Sequence, residues 1–141
     1  MQDRKVNQVW WMLRAVFGAI PVVAGLDKFF NLLTNWEQYL SPLVLGFSPF
    51  SGTTLMRLVG IIEIAVGLMI LTRWTRVGAY VASAWLGLIA LNLLATGRFF
   101  DVAARDVALA VAAWGLARLE EARAAAPAGV GQAVLPRPAP V

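Results

Sequence analysis

Glu63 stands alone inside the apolar run Leu58–Leu71. A run of that length belongs to a helix inside a bilayer, and a carboxylate near its middle costs at least ~2.5–3.5 kcal/mol on insertion scales. A helix that only filled space would carry Leu or Ala there. Glu63 is therefore expected to have a partner, a proton-handling role, or both. Arg14, in the preceding apolar segment, is the expected partner. Glu63 lies roughly 15 Å from the outer start of its helix and Arg14 roughly 7.5 Å from the inner start of its own, and the guanidinium arm covers much of the difference. Asp27, Lys28, Arg105 and Asp106 lie nearer the outer edge, and Asn92 sits late in the third apolar segment on one face with Trp85. Together these residues are expected to line an outward-leaning polar pocket. A carbonyl head group could accept from Lys28 or Arg105 there, with Glu63 or Asp106 passing protons. An acid, ion or lipid could instead use Arg14 and Glu63, or the charges could serve only to pair helices.

Residue types that are missing narrow the chemistry. The chain has no Cys and no His. Disulfides, dithiol redox centres and thiolate ligands are excluded, and so are the usual haem and zinc ligands. No catalytic residue and no metal ligand set is expected. Hydrophobic residues make up 60% of the 141 residues and charged ones 14%, with a mean hydropathy of +0.70. Ordinary globular domains are ~45–50% apolar, so this composition cannot supply a water-facing surface. The formal charge of +4 does not point to nucleic acid. The basic residues are scattered at segment ends, whereas nucleic-acid binding needs a clustered basic face.

Four apolar segments must position these residues. They cover about residues 9–30, 53–72, 77–96 and 102–119. Crossing ~30 Å takes roughly 20 helical residues. The expected fold is all-α, an integral membrane four-helix bundle spanning 9–121. Residues 1–8 precede it as a cytoplasmic segment. A Pro- and Ala-rich tail, 122–141, follows and reads as disordered. The fourth segment is Ala-rich, carries Arg105 and Asp106 near its start, and is the weakest of the four.

Basic residues set the orientation. Arg4 and Lys5 precede the first segment, Arg73 and Arg76 bracket the turn between the second and third, and Arg118 and Arg123 follow the fourth. The positive-inside rule places all of these, and both termini, in the cytoplasm. On the other side Lys28, Arg57, Arg98 and Arg105 are matched by acids. Trp10, Trp11 and Trp74 fall at the inner edge; Phe29, Phe30, Trp36, Tyr39, Phe47, Phe50, Phe99 and Phe100 fall at the outer edge, as aromatic belts require. The outer loop, roughly 34–52, is expected to lie on the membrane surface as a cap. A rival reading makes the N-terminus a cleaved signal peptide with Arg4 and Lys5 as its n-region; Arg14 and the Trp10–Trp11 pair fit it poorly.

Helical spacing sorts the small residues. Arg14, Gly18, Pro21, Gly25 and Lys28 share one stripe of the first segment, and Gly60, Glu63 and Gly67 share one stripe of the second. Small residues allow close helix approach, so the stripes are expected to face each other. Asp27–Asn31 and Arg98–Asp101 both enclose Phe-Phe, a faint sign of a two-fold repeat that an aromatic belt explains equally well.

Arg14, the run Gly25-Leu-Asp-Lys-Phe-Phe30, the run Gly60-Ile-Ile-Glu-Ile-Ala-Val-Gly67 and the run Ala104-Arg-Asp106 together resemble the DoxX family of small membrane proteins. The resemblance covers about residues 11–119. It implies a four-helix bundle in the cytoplasmic membrane of a bacterium or archaeon. It also implies a link to quinone-reducing sulfur oxidation, redox enzymes or stress defence. The family's polar positions fall on Arg14, Lys28 and Glu63, with Arg105 and Asp106 matching more loosely. The absence of Cys separates this chain from any member with thiol chemistry of its own. The expected function is an accessory or anchor subunit of a membrane redox system, without catalysis of its own. Its partners are the lipid bilayer and a membrane or peripheral redox enzyme. No nucleic acid and no covalent cofactor is expected; a quinone and a homo-oligomer are both compatible. The alternatives are a small carrier for a solute, ion or lipid, and a purely structural membrane protein.

Overall fold

The computed structural model describes residues 2–126. Every regular element among them is helical. The order is α1 (Gln2–Asp27), a 3-10 turn (Trp36–Tyr39), α2 (Pro42–Phe47), α3 (Gly52–Leu71), α4 (Thr75–Ala95) and α5 (Phe100–Ala125). Three of these helices, α1, α3 and α4, are long and apolar enough to cross a membrane. α5 is as long as α1 but is not among them. Its charged residues are the reason, Arg105 and Asp106 near its start and Arg118 to Arg123 near its end.

Helix ends differ from the apolar segments for local reasons. α1 begins at Gln2 rather than near residue 9, because the polar residues 3–8 continue the same helix. It ends at Asp27 rather than Phe30. There the Asp27 carboxylate accepts from the Leu32 and Leu33 amides, both at 3.0 Å, and draws the chain into a turn. Asn31 takes a left-handed φ of 52° within it, a region Asn tolerates. α5 runs past residue 119 to Ala125, supported by the Arg118–Glu121 and Glu120–Arg123 pairs one turn apart. The tail expected from residue 122 is thus helical in its first residues, and 127–141 lie outside the described residues.

The bundle is built from two hairpin-like pairs. α1 packs along α3 and α4 along α5, while α3 and α4 are joined by a short turn and lie side by side. Glycines set the first pair. A Cβ on Gly60 would stand 2.6 Å from the Gly25 carbonyl oxygen, and one on Gly67 would stand 2.5 Å from that of Gly18. The two small-residue stripes therefore meet backbone to backbone, as the sequence predicts. In the second pair Ser83 donates to the Ala110 carbonyl at 2.7 Å. The apolar core, including Phe17, Val66, Ile70, Ala82, Ala113 and Leu116, fills the half nearer the α3–α4 turn. The other half, beneath the loop from 28 to 51, holds the buried charges. That loop forms a cap. Outside the core the helices expose Val16, Ile20, Val23, Ile61, Leu68, Leu88, Leu91 and Val111, the surface a lipid-embedded bundle presents.

This packing makes an asymmetric prediction. Gly60→Ala and Gly67→Ala each push a methyl into backbone, and should cost about 1–3 kcal/mol of unfolding stability. Gly87 has nothing within 4 Å of its missing Cβ, so Gly87→Ala should be neutral or gain up to about 1 kcal/mol from helix propensity. Thermal unfolding in mild detergent reads the difference; equal losses at all three positions would refute the register.

Candidate functional site

Lys28 follows directly on α1, and its amide still bonds to the Ala24 carbonyl at 3.2 Å. Its stem passes Gly60, where an added Cβ would sit 3.2 Å from the Lys28 Cβ. The bare glycine gives the stem room to run inward along α3. Its ammonium Nζ then donates to Glu63 Oε2 at 2.5 Å, with the two side chains 4% and 13% exposed. Glu63 therefore pairs with Lys28, not with the expected Arg14. The glycine register explains the correction. It places Arg14 beside the last turn of α3, where its Nε donates to the Ile70 carbonyl at 2.9 Å and its Nη2 to those of Leu71 and Thr72 at 2.7 and 2.9 Å. A guanidinium there satisfies carbonyls that the helix end leaves open and meets the negative end of the helix dipole. Glu63 is seven residues away, about 10 Å along the axis.

The pair has a lid. The Lys28 Nζ lies 3.7 Å from the centroid of the Trp36 ring, a cation–π distance. Trp36 is held there by its own indole, whose Nε1 donates to Asp27 Oδ2 at 2.8 Å. Asp27 thus does not join the ion pair; it ties the loop and aims the lid. Asn92 serves the cap from the other side. Its Nδ2 donates to the Tyr39 carbonyl at 2.7 Å, and its Oδ1 accepts from the Ser41 amide at 3.0 Å. Glu37 accepts from the Thr53 hydroxyl at 2.5 Å, and the Tyr39 and Phe99 rings meet at 4.8 Å. The cap is therefore fastened to α1, α3, α4 and the start of α5.

From α5 the Asp106 side chain is buried in the same half of the bundle. Its Oδ1 accepts from Arg105 Nε and Nη2 at 3.2 and 3.0 Å, and the Arg105 side chain is itself 65% exposed. Of the seven residues expected to line one pocket, Lys28 and Glu63 pair with each other, and Asp106 is buried on α5 with Arg105 holding it from outside. Asp27 and Asn92 brace the cap. Arg14 lies at the other end of the bundle. Among the described residues no group of three or more His, Cys, Asp or Glu could hold a metal ion.

Two features escaped the sequence reading. Trp36 was placed only as a belt aromatic, and nothing in its spacing from Lys28 signals a lid. At the far end Trp10 donates to Glu120, the Arg123 guanidinium stacks 3.7 Å over the Trp10 ring, and Arg123 Nη2 donates to Asn7 at 2.6 Å. That cluster closes α1 onto α5; the sequence reading places Trp10 and Arg123 at the same edge but does not pair them. Trp85 shares a helix with Asn92, yet its Nε1 is buried without an acceptor among the described residues.

A family profile described as DoxX matches residues 9–97. The chain belongs to the DoxX family. The match takes in α1, the cap, α3 and α4, and with them Arg14, Asp27, Lys28, Trp36, Glu63 and Asn92. It stops before α5, so Arg105 and Asp106 lie outside it. Comparison with curated protein sequences and with solved structures returned no match. Family membership and the apolar helices make this a membrane protein.

Breaking one side of a buried pair typically costs about 3–5 kcal/mol, more than replacing both partners by apolar groups. Lys28→Met or Glu63→Leu alone should therefore destabilise the DoxX chain more than the double change does. Arg14→Leu combined with Glu63→Leu should instead be additive to within about 0.5 kcal/mol, as for separate sites. A non-additive Arg14–Glu63 pair in detergent unfolding would restore the pairing that the structure replaces.

Proposed function

We propose that this chain is a four-span accessory subunit of a membrane redox system, holding a quinone-type head group at Lys28 and Glu63 for a partner enzyme. The observation that carries the reading is the Lys28 ammonium, 2.5 Å from Glu63 and covered by the Trp36 ring. These groups suit a flat, lipid-soluble dione. An indole face can stack on its ring, an ammonium can donate to its carbonyl oxygen, and a carboxylate that has first taken up a proton can pass it on to a reduced oxygen. Glu63 Oε2 takes the Lys28 proton donor, and its Oε1 accepts no bond among the described residues. Asp106 supplies a second carboxylate nearby. Electrons come from the partner enzyme, because a chain without His or Cys brings none of the usual electron-carrier ligands.

The setting we infer is the cytoplasmic membrane of a bacterium or archaeon, with both termini inside. α5 supports the fourth span by its length of 26 residues and by its packing along α4. Its charges are placed to allow this, since Asp106 is buried and Arg118 to Arg123 form a cluster at the end. A structural reading is also favoured by one observation: the ammonium already has the Glu63 carboxylate, the Ala24 carbonyl and the Trp36 ring around it. A pair that only joins α1 to α3 needs nothing more.

Two measurements separate these readings. The chain has no native Cys, so single cysteines report cleanly. In intact cells a membrane-impermeant maleimide should label Gln38→Cys and leave Arg73→Cys unlabelled; labelling at 73 would reverse the topology. For the site, a short-chain quinone titrated into the reconstituted protein should quench tryptophan emission saturably. Trp36→Phe should remove that component. Lys28→Met should weaken the midpoint at least about tenfold, the equivalent of one charge-assisted hydrogen bond. Titrations identical in all three proteins would leave the structural reading in place. Solute flux into protein-bearing liposomes that Glu63→Gln abolishes would favour a carrier.

A further inference from the structure

The cap is built inside out for a water-facing loop. Several of its polar groups turn toward the protein, Trp36 to Asp27, Glu37 to Thr53, and the Tyr39 and Ser41 backbone to Asn92, while Asn31, Asn35 and Gln38 stay exposed. Its apolar side chains turn away. Phe47 is 86% and Leu32 84% exposed, and Phe30, Leu33, Leu43 and Phe50 are exposed with them. α2 contributes no fully buried residue, and only Val44 among its side chains is half-buried. In water this surface would be unfavourable, since apolar area is driven out of it, and contiguous exposed apolar patches mark membrane or partner contacts.

Two observations select lipid as the occupant. First, the surface continues one already assigned to lipid. Exposed apolar side chains follow α1 through Val16, Ile20, Val23 and Leu26, and Phe30 and Leu33 just past its end are exposed as well. Second, Glu37 is the only charged residue between 29 and 50, and it is occupied by Thr53. The patch offers a protein partner no charge to recognise, while interfacial helices bury such an apolar face at the headgroup–acyl boundary.

We propose that the cap is seated in the leaflet at its own end of the bundle, so that Lys28 is reached sideways from lipid. Its ligand is then a membrane-resident amphiphile whose polar head passes under Trp36 while its apolar tail stays in the leaflet. A water-soluble solute has no entry from the aqueous face. The inference rests on reading Lys28 and Glu63 as a ligand site, but the seating of the cap can stand or fall separately.

The chain holds only two lysines, Lys5 and Lys28, which makes the test direct. The unsubstituted protein, in vesicles of phosphatidylethanolamine and phosphatidylglycerol, is treated with phenyl isothiocyanate or with its water-soluble sulfonated analogue. Peptide mass spectrometry reads both sites. Lys5 should react with both reagents. Lys28 should react several-fold more with the lipid-soluble one, and more still in Trp36→Ala. Equal reaction, preference for the sulfonated reagent, or no reaction of Lys28 with either overturns lateral access. Spin labels at Phe47→Cys and Leu32→Cys read the seating independently. Oxygen should broaden them and a water-soluble nickel chelate should not. Broadening by the chelate, or shielding from both by a protein contact, overturns the seating. A lipid-seated cap without quinone quenching would retain this inference and remove the quinone reading.

Discussion

A bilayer interior offers no water to solvate a charge, and the cap half of this bundle contains an ammonium and three carboxylates, those of Asp27, Glu63 and Asp106. That constraint organises the structure. Glu63 can remain in α3 only because Lys28 reaches it, and Lys28 can reach it only because Gly60 leaves its stem room. The close approach of α1 and α3 through Gly18, Gly25, Gly60 and Gly67 is thus both a packing device and the means of placing a charge. Trp36 then covers the ammonium with a face that is apolar to lipid and attractive to a cation.

The two ends of the bundle solve different problems with similar residue types. At the end of the α3–α4 turn, Arg14 spends its donors on the open carbonyls of α3, and Trp10, Glu120 and Arg123 lock α1 to α5. The apolar core adjoins this end. At the cap end the charges meet beneath a loop rather than beneath core side chains. The loop is held by discrete hydrogen bonds from Asp27, Glu37 and Asn92, which can be exchanged without unpacking a helix. The apolar core cluster lies in one half, and the groups able to meet a ligand lie in the other.

Much of this was legible in the sequence, and the limits have physical causes. The apolar segments announced long helices, and the spacing of Gly18, Gly25, Gly60 and Gly67 announced the facing stripes, because helical period alone decides both. Glu63 was visible as a buried charge for the same reason. Its partner was not. Counting depth from helix ends left Arg14 within reach of a long side chain, whereas the glycine contacts fix the register to the residue and put Arg14 beside Leu71. The ends of α1 and α5 were misjudged because polar helical turns carry no apolar signal. Trp36, Asp27 and Asn92 act through a loop whose path no periodicity encodes, so a lid and its two braces read as a belt aromatic and two pocket residues.

The central claim is that Lys28, and not Arg14, neutralises Glu63 within the bilayer. Dipolar-recoupling solid-state NMR on the chain in lipid tests it most directly, with 15N in lysine and arginine side chains and 13C at glutamate carboxyls. Only Lys5 and Lys28 contribute lysine nitrogens, so assignment is simple. The account predicts strong dephasing of the Glu63 carboxyl by the Lys28 Nζ, abolished in Lys28→Met and unchanged in Arg14→Leu. Dephasing that follows arginine labelling and disappears with Arg14, or a Glu63 carboxyl coupled to neither, would contradict it.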